Sequence, residues 1–318
     1  MISVVIPNWN GRRWLPGCLA ALAAQQRVAD EVIVVDNGSR DGSLGYLHDE
    51  HPEVRVIALS DNTGFAHAAN LGLHVAAGEL VALVNTDVEL APDWLARTAS
   101  ALEAHPRAAS VACKMVLRRD PGIVDDAGDI LRRDGVCEQR GRMRGDDGRW
   151  DGAGEVFGAC AGAALYRRSA VGEVGGFEER YFAYLEDVDL ALRLRLAGWS
   201  CRYEPAVALH AAQGSSGALP GGAAFLATRN TLVLVARFWP ARWLGLVAYR
   251  QLGWAWHAAR ERRLRGHLRA VAAAVPMLPA ALRMRRGLRR GAVVPISDVI
   301  PSLPWRSRAA GGHPAGRE

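Results

Sequence analysis

Residues 2–10 of the chain, ISVVIPNWN, indicate its fold. The run ISVVIP is short, apolar and rich in β-branched residues, a pattern typical of a parallel strand that is buried on both faces. The polar residues that follow, NWN, predict a loop at the carboxyl end of this strand. Residues 14–25 then carry Leu15, Leu19 and Leu22 at helical spacing, so the chain opens with a strand, a loop and a helix.

The same unit recurs along the amino-terminal part of the chain. Apolar runs at 31–35 (EVIVV), 54–59 and 80–84 (LVALV) alternate with helical patterns. Such alternation predicts a doubly wound α/β fold, in which a mostly parallel sheet is flanked by helices. In sheets of this kind, ligands bind beyond the carboxyl ends of the strands. Polar side chains follow all four predicted strands, and we expect them to share one site: Asn8, Asn10, Asp36, Asn37, Asn62 and Asp87.

The sequence lacks the two common phosphate-binding motifs. Neither GxGxxG after the first strand nor GxxxxGK[ST] is present. A bound nucleoside diphosphate would then need another source of positive charge, and a divalent cation is the natural one. The tripeptide Asn85-Thr86-Asp87, at the end of the fourth predicted strand, can supply an oxygen ligand to such a cation. An Asx-type turn before a helix near Pro92 explains the same residues equally well.

Residues 175–199, GGFEERYFAYLEDVDLALRLRLAGW, form a second candidate functional segment. An aromatic run precedes the acids Glu186 and Asp187, which fall at the start of a predicted helix, where the helix dipole favours negative charge. An acidic helix start without a catalytic role is the plain alternative. Asp189 and Arg193, four residues apart, predict a modest helix-stabilising pair. The apolar stripe of this helix consists of Val188, Leu192 and Leu196.

The middle of the chain is less regular. Residues 111–117 predict a strand, whereas residues 118–150 are rich in Gly, Asp and Arg and indicate either a hairpin-containing insertion or a mobile loop over the site. Residues 203–209 predict a last short strand, which ends at His210. A histidine in this position can complete a metal site or contact phosphate, although a lone histidine is more often structural.

Charge is distributed unevenly along the chain. Residues 219–318 hold 17 of the 39 Lys and Arg residues but only three acidic ones, whereas the rest of the chain is acidic. Such a basic segment predicts binding to an anionic surface. The five cysteines are scattered without a CxxC pair, which favours reduced, mostly buried thiols and a cytosolic location. The strand predicted to begin at Ile2 leaves no room for a secretory leader.

The carboxyl-terminal residues 223–290 are rich in Ala, Leu, Trp and Arg. Charged residues and prolines interrupt each apolar stretch, so we predict no membrane-spanning helix. Tryptophans interleaved with arginines favour helices that lie in an anionic membrane interface; a helical cap packed on the main domain is the alternative. No nucleic-acid binding is expected, because no recognised motif is present. We divide the chain into an α/β domain (1–218), a basic helical segment (219–305) and a disordered tail (306–318).

Six segments taken together resemble family 2 glycosyltransferases, and in particular the bacterial rhamnosyltransferase-like members that act in cell-wall and polysaccharide assembly. In chain order they are VVIPNWN, VIVVDNGSRDGS, DNTGFAHAANLG, LVNTDVEL, residues 175–199 and His210. The resemblance covers about residues 1–240. It implies a GT-A fold, a nucleotide-diphosphate-sugar donor, inversion at the anomeric carbon and a Mg²⁺ or Mn²⁺ cofactor.

The resemblance also implies roles for individual residues. Asp36 resembles the acid that reads the pyrimidine ring, and Asp87 resembles the metal-binding acid of the DxD motif, whose first acid is replaced here by Asn85. Asp187 resembles the catalytic base, with Glu186 as its neighbour. The implied metal ligands are Asp87 and His210. The implied donor-binding residues are Pro7, Asn8, Asn10, Asp36, Asn37, Asn62, Gly64, Phe65, Asn70, Asn85 and Thr86.

The sequence therefore predicts an inverting glycosyltransferase that moves a sugar, with rhamnose from dTDP-rhamnose as one candidate, to a lipid-linked or polysaccharide acceptor. The missing first acid of the DxD motif supports a rival hypothesis, a non-catalytic nucleotide-sugar-binding or scaffold protein. A nucleotidyltransferase is disfavoured, because residues 8–14 (NWNGRRW) lack a glycine-rich basic loop. We expect peripheral binding to the inner face of the cytoplasmic membrane, and the sequence is compatible with an oligomer.

Overall fold

The computed structural model describes residues 1–211 and 221–300. The predicted disordered tail, 306–318, lies outside the described residues, as do residues 212–220 and 301–305. The described chain has the α/β fold that the alternating sequence pattern predicts. One large sheet, with parallel strands in its amino-terminal half, is flanked by helices.

The amino-terminal half of the sheet contains four parallel strands. They are β1 (Ile2–Asn8), β2 (Glu31–Asn37), β3 (Arg55–Leu59) and β4 (Leu80–Val84). The helices between them are α1 (Leu15–Ala23), α2 (Ser43–Glu50) and α3 (Phe65–Val75). The spatial order is β3–β2–β1–β4. Asn8 pairs with Asp36 across β1 and β2, so the polar ends of these two strands lie side by side.

Strand β1 is apolar because both of its faces are buried. Val4 and Ile6 belong to the hydrophobic cluster that includes α1, whereas Val5 belongs to the cluster on the α3 side. This division follows from the alternation of side chains along a strand. Gly72 lets α3 approach closely, since a Cβ there would lie 2.2 Å from Val5 Cγ1. The sheet therefore separates two layers of core.

The remaining elements of the α/β part follow β4 in the chain. They are β5 (Val88–Leu90), α4 (Trp94–Glu103), β6 (Ala108–Leu117), β7 (Asp120–Asp126), β8 (Asp129–Leu131), β9 (Cys137–Gln139), β10 (Arg144–Gly145), β11 (Gly154–Val156), β12 (Ala163–Arg167), α5 (Arg168–Glu173), α6 (Glu186–Leu196) and β13 (Ser200–His210). Strand β12 lies antiparallel between β4 and β6. Strand β13 runs parallel to β6 and antiparallel to β5, which pairs His210 with Val88.

Residues 118–150 fold as a hairpin-containing insertion, one of the two predicted alternatives. Strand β7 pairs with β6, and β10 pairs with β7. Strands β8 and β9 form a separate two-stranded sheet. Asp129, at the start of β8, also forms an isolated bridge with Gly158. The insertion is thereby joined to the residues that precede β12.

The carboxyl-terminal helices pack on α6. They are α7 (Gly222–Phe238), α8 (Leu244–Arg260), α9 (Leu264–Ala274), α10 (Leu278–Gly291) and α11 (Ile296–Val299). The predicted apolar stripe of α6 contributes Leu192 and Leu196 to a buried cluster that also contains Leu234 and Phe238 of α7. Within the two described ranges, no helix is long and apolar enough to cross a membrane.

The ion pair between Asp189 and Arg193 is buried, which corrects the prediction of a modest helix-stabilising pair. Arg193 Nε lies 2.6 Å from Asp189 Oδ1, and the two side chains are 5% and 0% exposed. Arg237 of α7 covers this face of α6 and donates to both Asp189 and Glu178. Helical spacing indicated the pair but could not indicate its burial, because α7 comes from a distant part of the chain.

Candidate active site

A cleft of about 500 Å³ opens at the carboxyl edge of the sheet. Most of the predicted site residues line it together, although they lie on separate segments of the sequence. These are Pro7, Asn8, Asn10, Asn37, Asn62, Phe65, Asn85, Thr86, Asp87, Glu186, Asp187 and His210. The other three predicted residues, Asp36, Gly64 and Asn70, do not line it.

Asp36 lies beneath the cleft rather than in its wall, and its contact with a ligand stays a prediction. It is fully buried. Its Oδ2 accepts a hydrogen bond from Asn8 Nδ2 at 2.6 Å, and its Oδ1 accepts one from the Ser39 backbone N–H at 2.9 Å. Asn8 Oδ1 is buried and has no hydrogen-bond partner among the described atoms. Asp36 therefore orients Asn8, and Asn8 Oδ1 is free to accept a hydrogen bond from a bound ligand.

The loop at residues 62–65 is held by amide side chains. Asn37 Nδ2 donates to Asn62 Oδ1 and to the Gly64 carbonyl, both at 3.0 Å. Gly64 has a φ of +92°, and a Cβ there would lie 2.6 Å from the Phe182 carbonyl oxygen. Gly64 acts on the cleft indirectly, because only glycine allows this loop to pass so close to residues 181–185.

Asn70 does not line the cleft, and its role in donor binding stays a prediction. Its Nδ2 donates to the Phe177 carbonyl at 2.9 Å and to Glu179 Oε1 at 2.8 Å, while its Oδ1 accepts from the Phe177 backbone N–H at 2.7 Å. These bonds occupy the amide fully. Asn70 joins α3 to the aromatic segment, and its place in a familiar motif gave no sign of that structural role.

Asp87 and His210 meet because β5 and β13 are paired. His210 Nε2 lies 3.4 Å from Asp87 Oδ2, and His210 Nδ1 lies 2.7 Å from Asp125 Oδ2. Although burial opposes a positive charge, the hydrogen bonds to Asp125 and Asp87 raise the pKa of His210 to about 9. Burial would raise the pKa of Asp125, yet the hydrogen bond to His210 holds it below its usual value.

The chemistry of this pair fits a hard divalent cation that also binds phosphate, with the cation taking the place of the Nε2 proton of His210. A carboxylate that holds the second nitrogen of a histidine, as Asp125 does, is the usual support of a metal-bound imidazole. Within residues 1–211 and 221–300, no three His, Cys, Asp or Glu side chains group closely enough to hold a cation alone. Mg²⁺ commonly takes only one or two protein ligands and completes its shell with water and phosphate oxygens.

Glu186 and Asp187 begin α6, as predicted, and both line the cleft. Asp187 Oδ1 accepts from the Val188 backbone N–H at 2.8 Å, and Oδ2 accepts from the Ala161 backbone N–H at 3.2 Å. Burial raises the pKa of Asp187. Burial and the charge of Asp187 raise the pKa of Glu186 well above its usual value. Asp187 is thus a fixed, partly exposed carboxylate with increased basicity.

Sequence reasoning missed a second group of acids on the insertion. Asp125, Asp126 and Asp129 are each at most 4% exposed. Burial and the Asp125 charge raise the pKa of Asp126 to about 7. Burial, then the charges of Asp126 and Asp187, raise the pKa of Asp129 well above its usual value. The run IVDDAGDIL, with acids between apolar residues, was the available signal, but it lies in a region without clear periodicity.

The Asp126→Asn variant is expected to be more stable than the wild type at high pH. The folded state binds the Asp126 proton more tightly, since the pKa of Asp126 there is about 7 instead of the usual 3.8. The stability contributed by that proton is complete below pH 3.8 and is lost as the pH rises through 7. The variant keeps the Oδ1 that accepts from Gly128 N–H. Its advantage in Tm should grow between pH 4 and 7 and stay constant above.

Asp120→Asn is the matched control for this measurement. Asp120 lies on the same strand, β7, is exposed, and accepts from the backbone N–H two residues later, as Asp126 does. The Asp120→Asn substitution should change Tm only slightly, and by the same amount at every pH. Parallel Tm curves of the wild type and Asp126→Asn between pH 4 and 8 would show that Asp126 does not titrate in this range.

The described part of the chain has the GT-A fold. Two solved structures share this fold. One is GalNAc-T7 with UDP, GalNAc and Mn²⁺, with a TM-score of 0.63 and 13% identity over 91% of this chain and 54% of that chain. The other is mannosyltransferase PcManGT from Pyrobaculum calidifontis in complex with GDP-Man and Mn²⁺, with a TM-score of 0.54 and 20% identity over 91% of this chain and 85% of that chain.

The chain belongs to glycosyl transferase family 2, whose family model matches residues 3–175. It is 30% identical to the N-acetylglucosaminyl-diphospho-decaprenol L-rhamnosyltransferase of Mycobacterium tuberculosis, over 91% of this chain and 95% of that protein. It is also 30% identical to an N-acetylglucosaminyltransferase of Mesorhizobium japonicum, over 64% of this chain and 49% of that protein. The predicted family and glycosyltransferase activity are therefore confirmed.

Proposed function

We propose that this glycosyltransferase transfers rhamnose, with inversion, from dTDP-rhamnose to a hydroxyl of a lipid-diphosphate-linked amino sugar. The observation that carries the proposal is that Asp87 and Asp187, one hundred residues apart, line the same cleft. The mycobacterial relative, which aligns over nearly its whole length, supports the sugar and the class of acceptor.

In the proposed mechanism, Asp187 acts as the general base. The acceptor hydroxyl donates a hydrogen bond to Asp187, which takes the proton as the hydroxyl oxygen attacks the anomeric carbon. The bond from that carbon to the diphosphate oxygen breaks, and the diphosphate leaves with the electron pair. Asp87 and His210 would hold a divalent cation that offsets the negative charge of the leaving diphosphate. Asn8 and Asn62 would orient the donor, and their positioning reduces the entropy cost of the reaction.

A transfer assay tests the proposal. The full-length protein, with Mn²⁺, is incubated with a lipid diphosphate bearing N-acetylglucosamine and one of three donors: dTDP-rhamnose, UDP-N-acetylglucosamine or GDP-mannose. Mass spectrometry of the lipid should show the addition of one deoxyhexose only with dTDP-rhamnose. Transfer of another sugar would replace the proposed donor. Donor binding without transfer to any acceptor would favour the non-catalytic alternative.

Activity is expected to require a divalent cation. Chelation by EDTA should abolish transfer, and Mn²⁺ or Mg²⁺ should restore it. His210→Gln should raise the Mn²⁺ concentration needed for half-maximal activity by roughly tenfold or more, in the range seen when support of a metal site is lost. His67→Gln is the control, because His67 pairs with Glu179 outside the cleft. If the enzyme were fully active in EDTA, protonated His210 rather than a metal ion would neutralise the charge of the diphosphate.

We further propose that the carboxyl-terminal helices bind an anionic membrane surface. Leu246, Tyr249, Leu252 and Trp256 recur every three or four residues along α8 and are between 50% and 79% exposed. Such a stripe of apolar side chains on one helix suits an interface between water and lipid. Helix α10 carries the basic sequence RMRRGLRR. Its positive charge complements anionic lipid headgroups.

Vesicle binding is expected to depend on the α8 stripe. The wild type should bind phosphatidylglycerol vesicles at low salt and should not bind phosphatidylcholine vesicles. The double variant Tyr249→Ser/Trp256→Ser should bind the anionic vesicles about tenfold more weakly, since less apolar surface is buried. Val28→Ser is the control, because Val28 is 71% exposed but lies outside the carboxyl-terminal helices. Equal binding by the double variant would contradict this role of α8.

A further inference from the structure

Residues 181–185, which lead into the acids of α6, have an unusual backbone. Phe182, Tyr184 and Leu185 have φ angles of 67°, 70° and 67°. Residues other than glycine rarely adopt this left-handed region, because the Cβ atom then crowds the backbone. Three such residues within four positions persist only where surrounding contacts hold them, and they are common at functional sites.

Asn230 of α7 supplies those contacts. Its Nδ2 lies 3.1, 2.9 and 2.7 Å from the backbone carbonyl oxygens of Tyr181, Ala183 and Tyr184, and its two hydrogens are shared among these three acceptors. Its Oδ1 accepts from Arg229 Nε at 2.9 Å, which fixes the orientation of the amide. Arg229 also donates to the Tyr181 carbonyl. Asn230 is fully buried, so water does not compete for these hydrogen bonds.

The segment that Asn230 holds, residues 181–185, contacts both the loop at residues 62–65 and helix α6. Tyr184 and Leu185 line the cleft. The Phe182 carbonyl accepts from the Ala66 backbone N–H at 3.2 Å, which joins the segment to the loop beside Gly64. Helix α6 begins directly after Leu185. A change in the backbone of this segment therefore moves the start of α6.

We propose that Asn230 is a positioning residue, whose amide fixes the left-handed backbone of residues 181–185 and thereby aims the Asp187 carboxylate at the acceptor hydroxyl. This inference rests on the proposed role of Asp187 as general base. Without the amide, the Ala183 and Tyr184 carbonyls lose their side-chain donor, whereas the Tyr181 carbonyl keeps the bond from Arg229. The segment then relaxes toward ordinary φ angles. A displacement of a catalytic group by about 1 Å can lower the rate roughly 10²-fold.

Asn230→Leu tests the proposal, with Thr231→Val as the matched control. Thr231 is also buried on α7, but its hydroxyl donates within the helix to the Ala227 carbonyl. We expect Asn230→Leu to lower kcat about 100-fold and to change the donor KM by less than about threefold. The acid limb of its pH–rate profile should move to lower pH, because Asp187 becomes more hydrated. Amide hydrogen exchange in residues 181–187 should accelerate. Thr231→Val should leave all four quantities close to wild type.

Two results would overturn the proposal. One is a folded Asn230→Leu protein whose kcat stays within threefold of wild type. The other is a loss of kcat that Thr231→Val shares, with unchanged exchange in residues 181–187. If Asn230→Leu does not fold, Asn230→Asp keeps the side-chain shape, removes the amide donors and is judged by the same measurements. Hydrogen exchange needs no substrate, so it tests Asn230 even if the wild type transfers no rhamnose.

Discussion

Asp187→Asn is expected to lower kcat by about 10²- to 10⁴-fold, the usual contribution of a general base. The amide keeps the oxygen and the size of the side chain, so it can still accept one of the backbone hydrogen bonds from Ala161 and Val188. It cannot take a proton from the acceptor hydroxyl. The dissociation constant of the donor, measured by calorimetry with Mn²⁺ present, should change little because Asp187 acts on the acceptor.

The pH dependence gives a second test of Asp187. Burial raises the pKa of Asp187. As the pH is lowered, wild-type kcat/KM should therefore begin to fall at a higher pH than it would if the base were an exposed aspartate. Asp187→Asn should lose this acid limb. Asp93→Asn is a fair control, because Asp93 also precedes a helix and lies outside the cleft. An unchanged kcat in Asp187→Asn would remove this residue as the base.

Arg237→Met is expected to destabilise the folded protein by about 3 kcal/mol, near the lower end of the range for breaking a buried ion pair. Arg237 Nη1 lies 2.6 Å from Asp189 Oδ2 and 2.9 Å from Glu178 Oε2, and its side chain is 5% exposed. Its removal leaves Asp189, which is 0% exposed, with one cation fewer. Arg193 remains beside Asp189, so the loss should not reach the upper end of that range.

Arg180→Met is the control for Arg237. Arg180 Nε lies 2.7 Å from Oε1 of the same acid, Glu178, but the arginine side chain is 45% exposed. Ion pairs in contact with solvent contribute roughly 0–1 kcal/mol, so Arg180→Met should change stability by less than about 1 kcal/mol. Thermal and urea unfolding of both variants give the comparison. Equal losses of unfolding free energy in the two variants would mean that the burial of Arg237 does not determine its contribution to stability.

Much of the fold was predictable because it depends on local patterns. The apolar run of β1 and the polar residues that follow it placed one side of the cleft correctly, since the carboxyl ends of parallel strands share an edge. The start of α6 was also predictable, because its apolar stripe and acids lie within a few helical turns. The same reasoning could not show that Asp36 bonds to Asn8 or that Asn70 bonds to Phe177, because these partners come from distant segments of the chain.

The sequence by itself determined the α/β class, the edge of the sheet that carries the cleft, and membership in glycosyl transferase family 2, because periodicity and short motifs are local properties. Only the tertiary structure decided which distant groups pack around the first turns of α6 and the segment that leads into it. Asp126 and Asp129 come from an insertion without clear periodicity, and Asn230 and Arg237 come from α7. The physical reason is that burial and long-range hydrogen bonds depend on how segments pack, which the spacing of residues along the chain does not encode.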